Sequence, residues 1–232
     1  MIGDLIRRMQ RLGLTRKMRR DWDRRARRNA MHYVNTGRKD WEEAAFFKTG
    51  EENVRNQILS DMESICGRRD PRSMRMLEIG CGVGRVTRAL ASTFGEVHGV
   101  DVSREMVRRA RTYLRSTPNA HVYLNSGRDL RVLGDRRFDF AYSFIVFQHI
   151  PDRELIDSYI GEVSRLLRIG SLFKFQVQGH RSPGLREPRR DTWLGASVSE
   201  AEAAEMAARH GFELERSEGG GTQYFWLWFR KF

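Results

Sequence analysis

Between residues 74 and 178 the chain alternates short apolar runs with longer stretches in which apolar residues recur every three to four positions. The short runs, at 74–80, 96–101, 120–125, 138–144 and 171–178, predict strands. The amphipathic stretches at 84–94, 103–115 and 152–167 predict helices between them, with only a short turn before the fourth strand. Such alternation favours a parallel sheet with helices on both faces. Pro118 and Pro151 mark element boundaries, and the chain before residue 66 reads as helix-rich. Toward the end, Ser197-Val198-Ser199-Glu200 has capping-box spacing for a helix that runs to His210, with Gly211 as its stop. Residues 212–217 and 222–229 then read as two strands joined through Gly219, Gly220 and Gly221, an antiparallel hairpin closing the sheet.

The first strand carries the clearest chemical signal. Leu77-Glu78-Ile79-Gly80-Cys81-Gly82-Val83-Gly84-Arg85-Val86-Thr87 is an apolar run that meets a carboxylate and three closely spaced glycines and restarts as a helix. Glycine admits positive φ and close approach of a ligand to the main chain, and the helix beginning near Arg85 offers unpaired N–H groups to an anionic group. A dinucleotide fingerprint requires its third glycine where Arg85 stands, so the match to nicotinamide cofactors is poor. Glu78 would repel a diphosphate and hold a cation. S-adenosylmethionine, with a sulfonium, an ammonium and one carboxylate, suits Glu78 and Arg85 better. Some 20 residues on, Val97-His98-Gly99-Val100-Asp101 reads as a second strand ending in an acid, the position from which a carboxylate reaches ribose hydroxyls.

These segments, with Val100-Asp101-Val102-Ser103 followed by Met106, and with Phe138-Asp139-Phe140-Ala141-Tyr142-Ser143, make residues 74–178 resemble the class I (Rossmann-like) S-adenosylmethionine-dependent methyltransferases. The resemblance implies an α/β fold: a three-layer α/β/α sheet, mostly parallel with an antiparallel C-terminal strand, plus a helical N-terminal extension. It divides the chain into an extension and lid at 1–66 and a methyltransferase domain at 67–232. It implies that Gly80, Cys81, Gly82 and Arg85 cradle the cofactor, that Asp101 takes the ribose and Met106 covers an adenine face. An acid after the third strand often accepts from the adenine amino group, a role open to Asp129 or to the backbone at Gly127 and Arg128, although the usual Gly-Asp pair is missing. Ser143 and Phe144 would face the methionine part. Tyr33, in the segment before the first strand, would bond the methionine carboxylate, and Trp41 or Phe47 would shape the acceptor pocket, with plain packing of an extra helix as the competing account.

Methyl transfer needs positioning above all, and a base where the acceptor carries a proton. His149 and His180 each follow a strand end and are the catalytic candidates, beside the reading of His149 as a structural hydrogen-bonder before Ile150-Pro151. Asp139, at the start of the fourth strand, reads as structural, and the aromatic run from Tyr224 to Phe229 reads as core.

Composition adjusts the picture. A chain of 232 residues, 40% hydrophobic, buries one sizeable core. Two cysteines, Cys66 and Cys81, indicate neither a disulfide framework nor a metal site and point to a reducing cytoplasm. No apolar stretch is long enough to span a bilayer. The net charge is +12, and the first 28 residues hold eleven basic and three acidic side chains. There Ile2, Leu5, Ile6, Met9 and Leu12 recur at helical spacing and predict a basic amphipathic helix at least to Gly13. Such a helix lies on an anionic membrane surface, touches nucleic acid phosphates, or docks on its own domain. The arginines at 182, 186, 189 and 190, before Trp193 and within the linker-like stretch 179–191, suit recruitment of an anionic acceptor or a solvated face. A small-molecule O- or N-methyltransferase is the favoured function. An RNA or other macromolecular methyltransferase recruited by the basic segment is the alternative, and a non-catalytic or NAD-dependent protein is disfavoured by Glu78.

Overall fold

The computed structural model describes residues 2–180 and 192–232, and for residues 2–11 the backbone alone. Its sheet has seven strands in the order β3-β2-β1-β4-β5-β7-β6: β1 (Arg75–Ile79), β2 (Glu96–Asp101), β3 (Ala120–Leu124), β4 (Phe138–Ser143), β5 (Leu167–Val177), β6 (Phe212–Glu218) and β7 (Phe225–Lys231). The first five pair in parallel, and β7 lies antiparallel between β5 and β6. The helices are α1 (Ile2–Val34), α2 (Glu43–Gln57), α3 (Met62–Cys66), α4 (Arg85–Ala91), α5 (Arg104–Tyr113), α6 (Arg153–Leu166) and α7 (Glu200–Arg209). This is the expected α/β sheet with its helical extension.

Successive side chains on a strand point to opposite faces, and the central strands β1, β2 and β4 bury both. Leu77, Ala141 and Phe173 meet α6 and α7 on one face. Their chain neighbours Met76, Phe140 and Leu172 meet α2 and α4 on the other. Each fully buried phenylalanine contributes about 1.5–3 kcal/mol on transfer from water, so the paired apolar faces hold the layers together. The burial also explains why the strands read as continuous apolar runs.

Several boundaries differ from the sequence expectation. The helix cap near residue 199 is built by Ser199 and Glu202, two positions later than expected, because the Glu202 carboxylate reaches back to the Ser199 N–H at 2.8 Å. Strand β5 starts four residues early, directly after α6, because Leu167 already pairs with Phe138 before the register shifts. The N-terminal helix runs far past Gly13 to Val34, broken only at Asn29 (φ −167, ψ 88). There the Asn29 side chain accepts from the His32 N–H at 3.1 Å and donates to the Lys39 carbonyl at 2.8 Å, capping the last turn and holding the next loop.

The described part of α1 lies on α5. Asp23 accepts from the Ser103 hydroxyl at 2.7 Å and from the Glu105 N–H at 3.1 Å, both at the α5 N-terminus. Asp21 accepts from Thr192 at 3.2 Å and from Lys17 at 2.7 Å, tying the chain after β5 to the same helix. The basic helix therefore packs on its own domain through its described side chains. The side chains of Ile2, Leu5, Ile6 and Met9 lie outside those described, as do the arginines at 182, 186, 189 and 190. No helix among the described residues is long and apolar enough to cross a membrane.

Candidate active site

Strand order reverses between β1 and β4, and ligands of open α/β sheets bind at the carboxyl ends of the strands at such a point. A cavity opens there, walled by Glu78, Gly80, Cys81, Gly82 and Arg85 from the first strand and its turn, and by Asp101 and Met106 at and beyond the end of the second. Phe144, Ile145 and His149 close it from the β4 side, while Met18, Trp22, Tyr33 and Val34 of α1 cover it.

The glycine turn is shaped by what presses on it. Gly80, Gly82 and Gly84 all have positive φ, at 77°, 55° and 86°. A Cβ on Gly80 would come within 2.2 Å of Val146 Cγ2, and one on Gly82 within 2.9 Å of Val34 Cγ2. These glycines thus admit two valines that wall the cavity, in addition to freeing the main chain.

Acidic groups occupy one flank. Asp101 accepts from Gly82 N–H at 2.9 Å and Ser103 N–H at 2.8 Å, and burial still pushes its carboxyl up to about 6. Glu78 accepts from the Thr87 hydroxyl at 2.5 Å and is pushed up by burial to about 7. Arg85 is the buried counter-charge. Its Nη1 donates to Thr49 at 3.0 Å and Asn53 at 2.5 Å, both on α2, which approaches so closely that a Cβ on Gly50 would meet the Arg85 carbonyl at 2.2 Å. Arg85 Nε is buried with no hydrogen-bond partner among the described residues.

Asn125, the residue after β3, is a wall residue that the sequence reading did not nominate, as are Met18, Trp22 and Val34 of α1. It lines the cavity, donates to Tyr159 at 2.8 Å, and keeps its buried Oδ1 without a partner among the described residues. Its position at a strand's carboxyl end was the available signal. The structure does not bring Gly127, Arg128 or Asp129 to the cavity. Gly127 packs under Thr15 and Met18, the Arg128 carbonyl accepts from Ser158 at 2.9 Å, and Asp129 accepts from Ser126 at 3.1 Å, so α1 and local turns occupy these groups. Ser143 donates to the Ile79 carbonyl at 3.0 Å beneath the wall, whereas Phe144 reaches it.

The two histidines separate. His180 is exposed beyond β5, outside the cavity wall. His149 is buried and lines the cavity, its Nδ1–H donating to the Trp193 carbonyl. That bond puts the ring's lone pair on Nε2, 3.4 Å from the Gln148 amide nitrogen. Trp22 and Trp193 flank the ring with centroids 5.2 and 5.0 Å away, so the imidazole has one orientation. Ile145, between β4 and His149, holds φ at 54°, a strained conformation for a β-branched residue. A second space adjoins the first across Tyr33, Arg85 and His149, and is lined by the amides of Asn35, Asn53, Gln148, Gln178 and Gln223. The pair of chambers fits a zwitterionic ligand beside a polar second reactant. Asp139 contacts the Arg75 N–H at 2.9 Å and Arg69 at 2.6 Å at the far end of the sheet, a structural position as expected.

Residues 76–170 match the family described as methyltransferase domain. That stretch is similar to the methyltransferase domain, and the fold is that of the class I S-adenosylmethionine-dependent methyltransferases. Among curated relatives of the chain, phosphoethanolamine N-methyltransferase 2 of Caenorhabditis elegans is 37% identical over 37% of the chain and 20% of its own length. A ubiquinone biosynthesis O-methyltransferase of Xanthomonas axonopodis pv. citri is 28% identical over 68% of the chain and 70% of its length. The chain spans only 20% and 27% of the length of the first two relatives it matches. In fold it is similar to magnesium protoporphyrin IX methyltransferase from Synechocystis PCC 6803 (TM-score 0.63, 16% identity, 94% of this chain and 97% of that one). It is also similar to DesVI of Streptomyces venezuelae (TM-score 0.61, 20% identity, 83% and 100% covered).

Proposed function

We propose that the chain is a methyltransferase that binds S-adenosylmethionine in the cavity at the glycine turn and transfers its methyl group to an oxygen or nitrogen of a small molecule held in the adjoining amide-lined chamber. The observation that carries the reading is the pair of unpaired buried polar atoms in one cavity wall: a donor, Arg85 Nε, and an acceptor, Asn125 Oδ1. A buried polar group without a partner costs about 1–3 kcal/mol, so both point to a ligand that satisfies them. A carboxylate fits Arg85 and an exocyclic amine fits Asn125, and S-adenosylmethionine carries both.

The remaining residues take roles from their positions. Asp101 holds the ribose hydroxyls, Met106 and Cys81 cover the base, and Glu78 opposes the cationic end. Tyr33 and Val34, with Trp22, close the cofactor side as a lid formed by residues 1–66 over the domain of 67–232. When bound, the cofactor supplies an activated methyl on a sulfonium. His149 Nε2 accepts the acceptor's proton while the Trp193 carbonyl holds Nδ1–H, and the aromatic walls exclude water. The small-molecule reading is supported by the docking of α1 on its own domain and by curated relatives named as O- and N-methyltransferases. The buried free thiols Cys66 and Cys81 suit a reducing compartment, and we propose the cytoplasm.

The test is calorimetry and thermal shift with S-adenosylmethionine, S-adenosylhomocysteine and NAD, since only a ligand of the native state raises the melting point. Stabilisation by the first two and not by NAD is expected. Binding of NAD alone overturns the reading. Transfer from labelled cofactor to RNA in preference to phenols and amines would move the acceptor to the macromolecular alternative.

A further inference from the structure

Away from the cavity, at the amino ends of the strands, three side chains converge on one face of the sheet. Glu96 and His98 stand two apart on β2 and so share a face, and His121 on the edge strand β3 is in register with His98. Their ligating atoms all lie within 4.8 Å of one another. His98 Nε2 is 2.8 Å from Glu96 Oε1, and His121 Nε2 is 3.4 Å from the same oxygen.

A hydrogen bond does not account for the short contact. His98 is 2% exposed, yet neither ring nitrogen makes a hydrogen bond among the described residues, so the Glu96 oxygen stands off the N–H axis. An ion on the Nε2 lone pair needs that offset. Bonds of about 2.0–2.1 Å at tetrahedral angles separate neighbouring ligand atoms by about 3.3 Å, which the two contacts bracket. The supports are in place as well. Arg75 Nε donates to Glu96 Oε2 at 2.5 Å and leaves Oε1 to face the imidazoles, while the His98 ring lies parallel to Tyr123 (centroids 5.6 Å apart) and edge-on to Phe138 (5.2 Å).

We propose that Glu96 Oε1, His98 Nε2 and His121 Nε2 bind one transition-metal dication of the zinc type, which clamps the edge strand β3 to β2 at the end of the sheet opposite the cofactor cavity. Two imidazoles and one carboxylate select zinc, cobalt, nickel or copper over calcium, and the half-exposed Glu96 and His121 leave a fourth position for water. The site owes nothing to the methyltransferase reading.

Zinc chloride titrated into the chelator-treated full chain, followed by calorimetry and by melting temperature, tests it. One bound ion and a raised melting point are expected, with calcium giving neither, and cobalt(II) should show the visible absorption of a low-coordinate centre. His121→Ala and Glu96→Gln, both at part-exposed positions, should weaken zinc binding at least about 10–100-fold, the loss known for weakening a metal's supporting shell. His180→Ala should leave it unchanged. Equal zinc affinity in wild type and His121→Ala, or no zinc binding by the wild type, overturns the proposal.

Discussion

Asp101 accepts the backbone N–H of Gly82 at 2.9 Å, so the acid that ends β2 fixes the glycine turn that follows β1. Its other oxygen takes the Ser103 N–H at 2.8 Å, and the carboxylate is held rigidly in the cavity wall. Asp101→Asn keeps the size but sets one acceptor oxygen against two donors. Affinity for S-adenosylhomocysteine should fall at least about tenfold by calorimetry, given about 1.5–3 kcal/mol for a hydrogen bond to a charged group. An unchanged Kd removes Asp101 from the binding site.

Burial raises Glu78 from an ordinary 4.5 to about 7 and Asp101 from 3.8 to about 6. In that interval the native ligand-free protein binds more protons than the unfolded chain, so these two groups make it less stable as pH rises toward neutrality. A cationic ligand favours the ionised carboxylates, so cofactor should bind more tightly at about pH 8 than at about pH 5.5. Melting curves of wild type and Glu78→Gln across this range isolate the effect. Their difference should change with pH, and parallel curves would contradict the assignment.

His149 touches Trp22, Trp193 and Gln148 on the β4 side of the cavity. His149→Ala should lower kcat by about 100-fold, the lower range for a general base, while cofactor affinity stays within twofold or so. Turnover at the wild-type level in a folded variant would make the ring a scaffold only.

Lys174 on β5 is buried and donates to Asp61 at 2.6 Å and to the Gln57 carbonyl at 2.5 Å, and Trp228 also donates to Asp61, at 2.8 Å. This cluster pins the end of α2 to the sheet, and α2 in turn holds Arg85. Lys174→Met leaves Asp61 inside without its main counter-ion and should cost about 3–5 kcal/mol in denaturant unfolding. Adding Asp61→Asn should recover part of the loss. Because its partners hold Asp61 below its ordinary value, the cluster's contribution is present at neutral pH and fades as acid protonates it.

The strands and the cofactor turn were legible because their signals are local. An apolar run interrupted by Glu78, Gly80, Gly82 and Gly84 encodes a strand, a turn and a helix start within eleven residues. Asn125 was not legible as a site residue, since the expected partner there is an acid and the acid in that segment is Asp129, which the turn at Ser126 consumes. Reading cysteines for metal likewise misses a Glu-His-His set assembled across two strands.

What the sequence determined alone was the order of elements, the carboxyl-end acids and the charge that favours a sulfonium over a diphosphate, all set by spacing within single segments. Tertiary structure decided which of those groups meet. The break at Asn29 turns Tyr33 and Val34 onto the glycine turn, α2 brings Thr49 and Asn53 to Arg85, and the Trp193 carbonyl selects the tautomer of His149. These contacts join residues far apart in the chain, and side-chain periodicity specifies which face a residue takes but not the partner that packs against it.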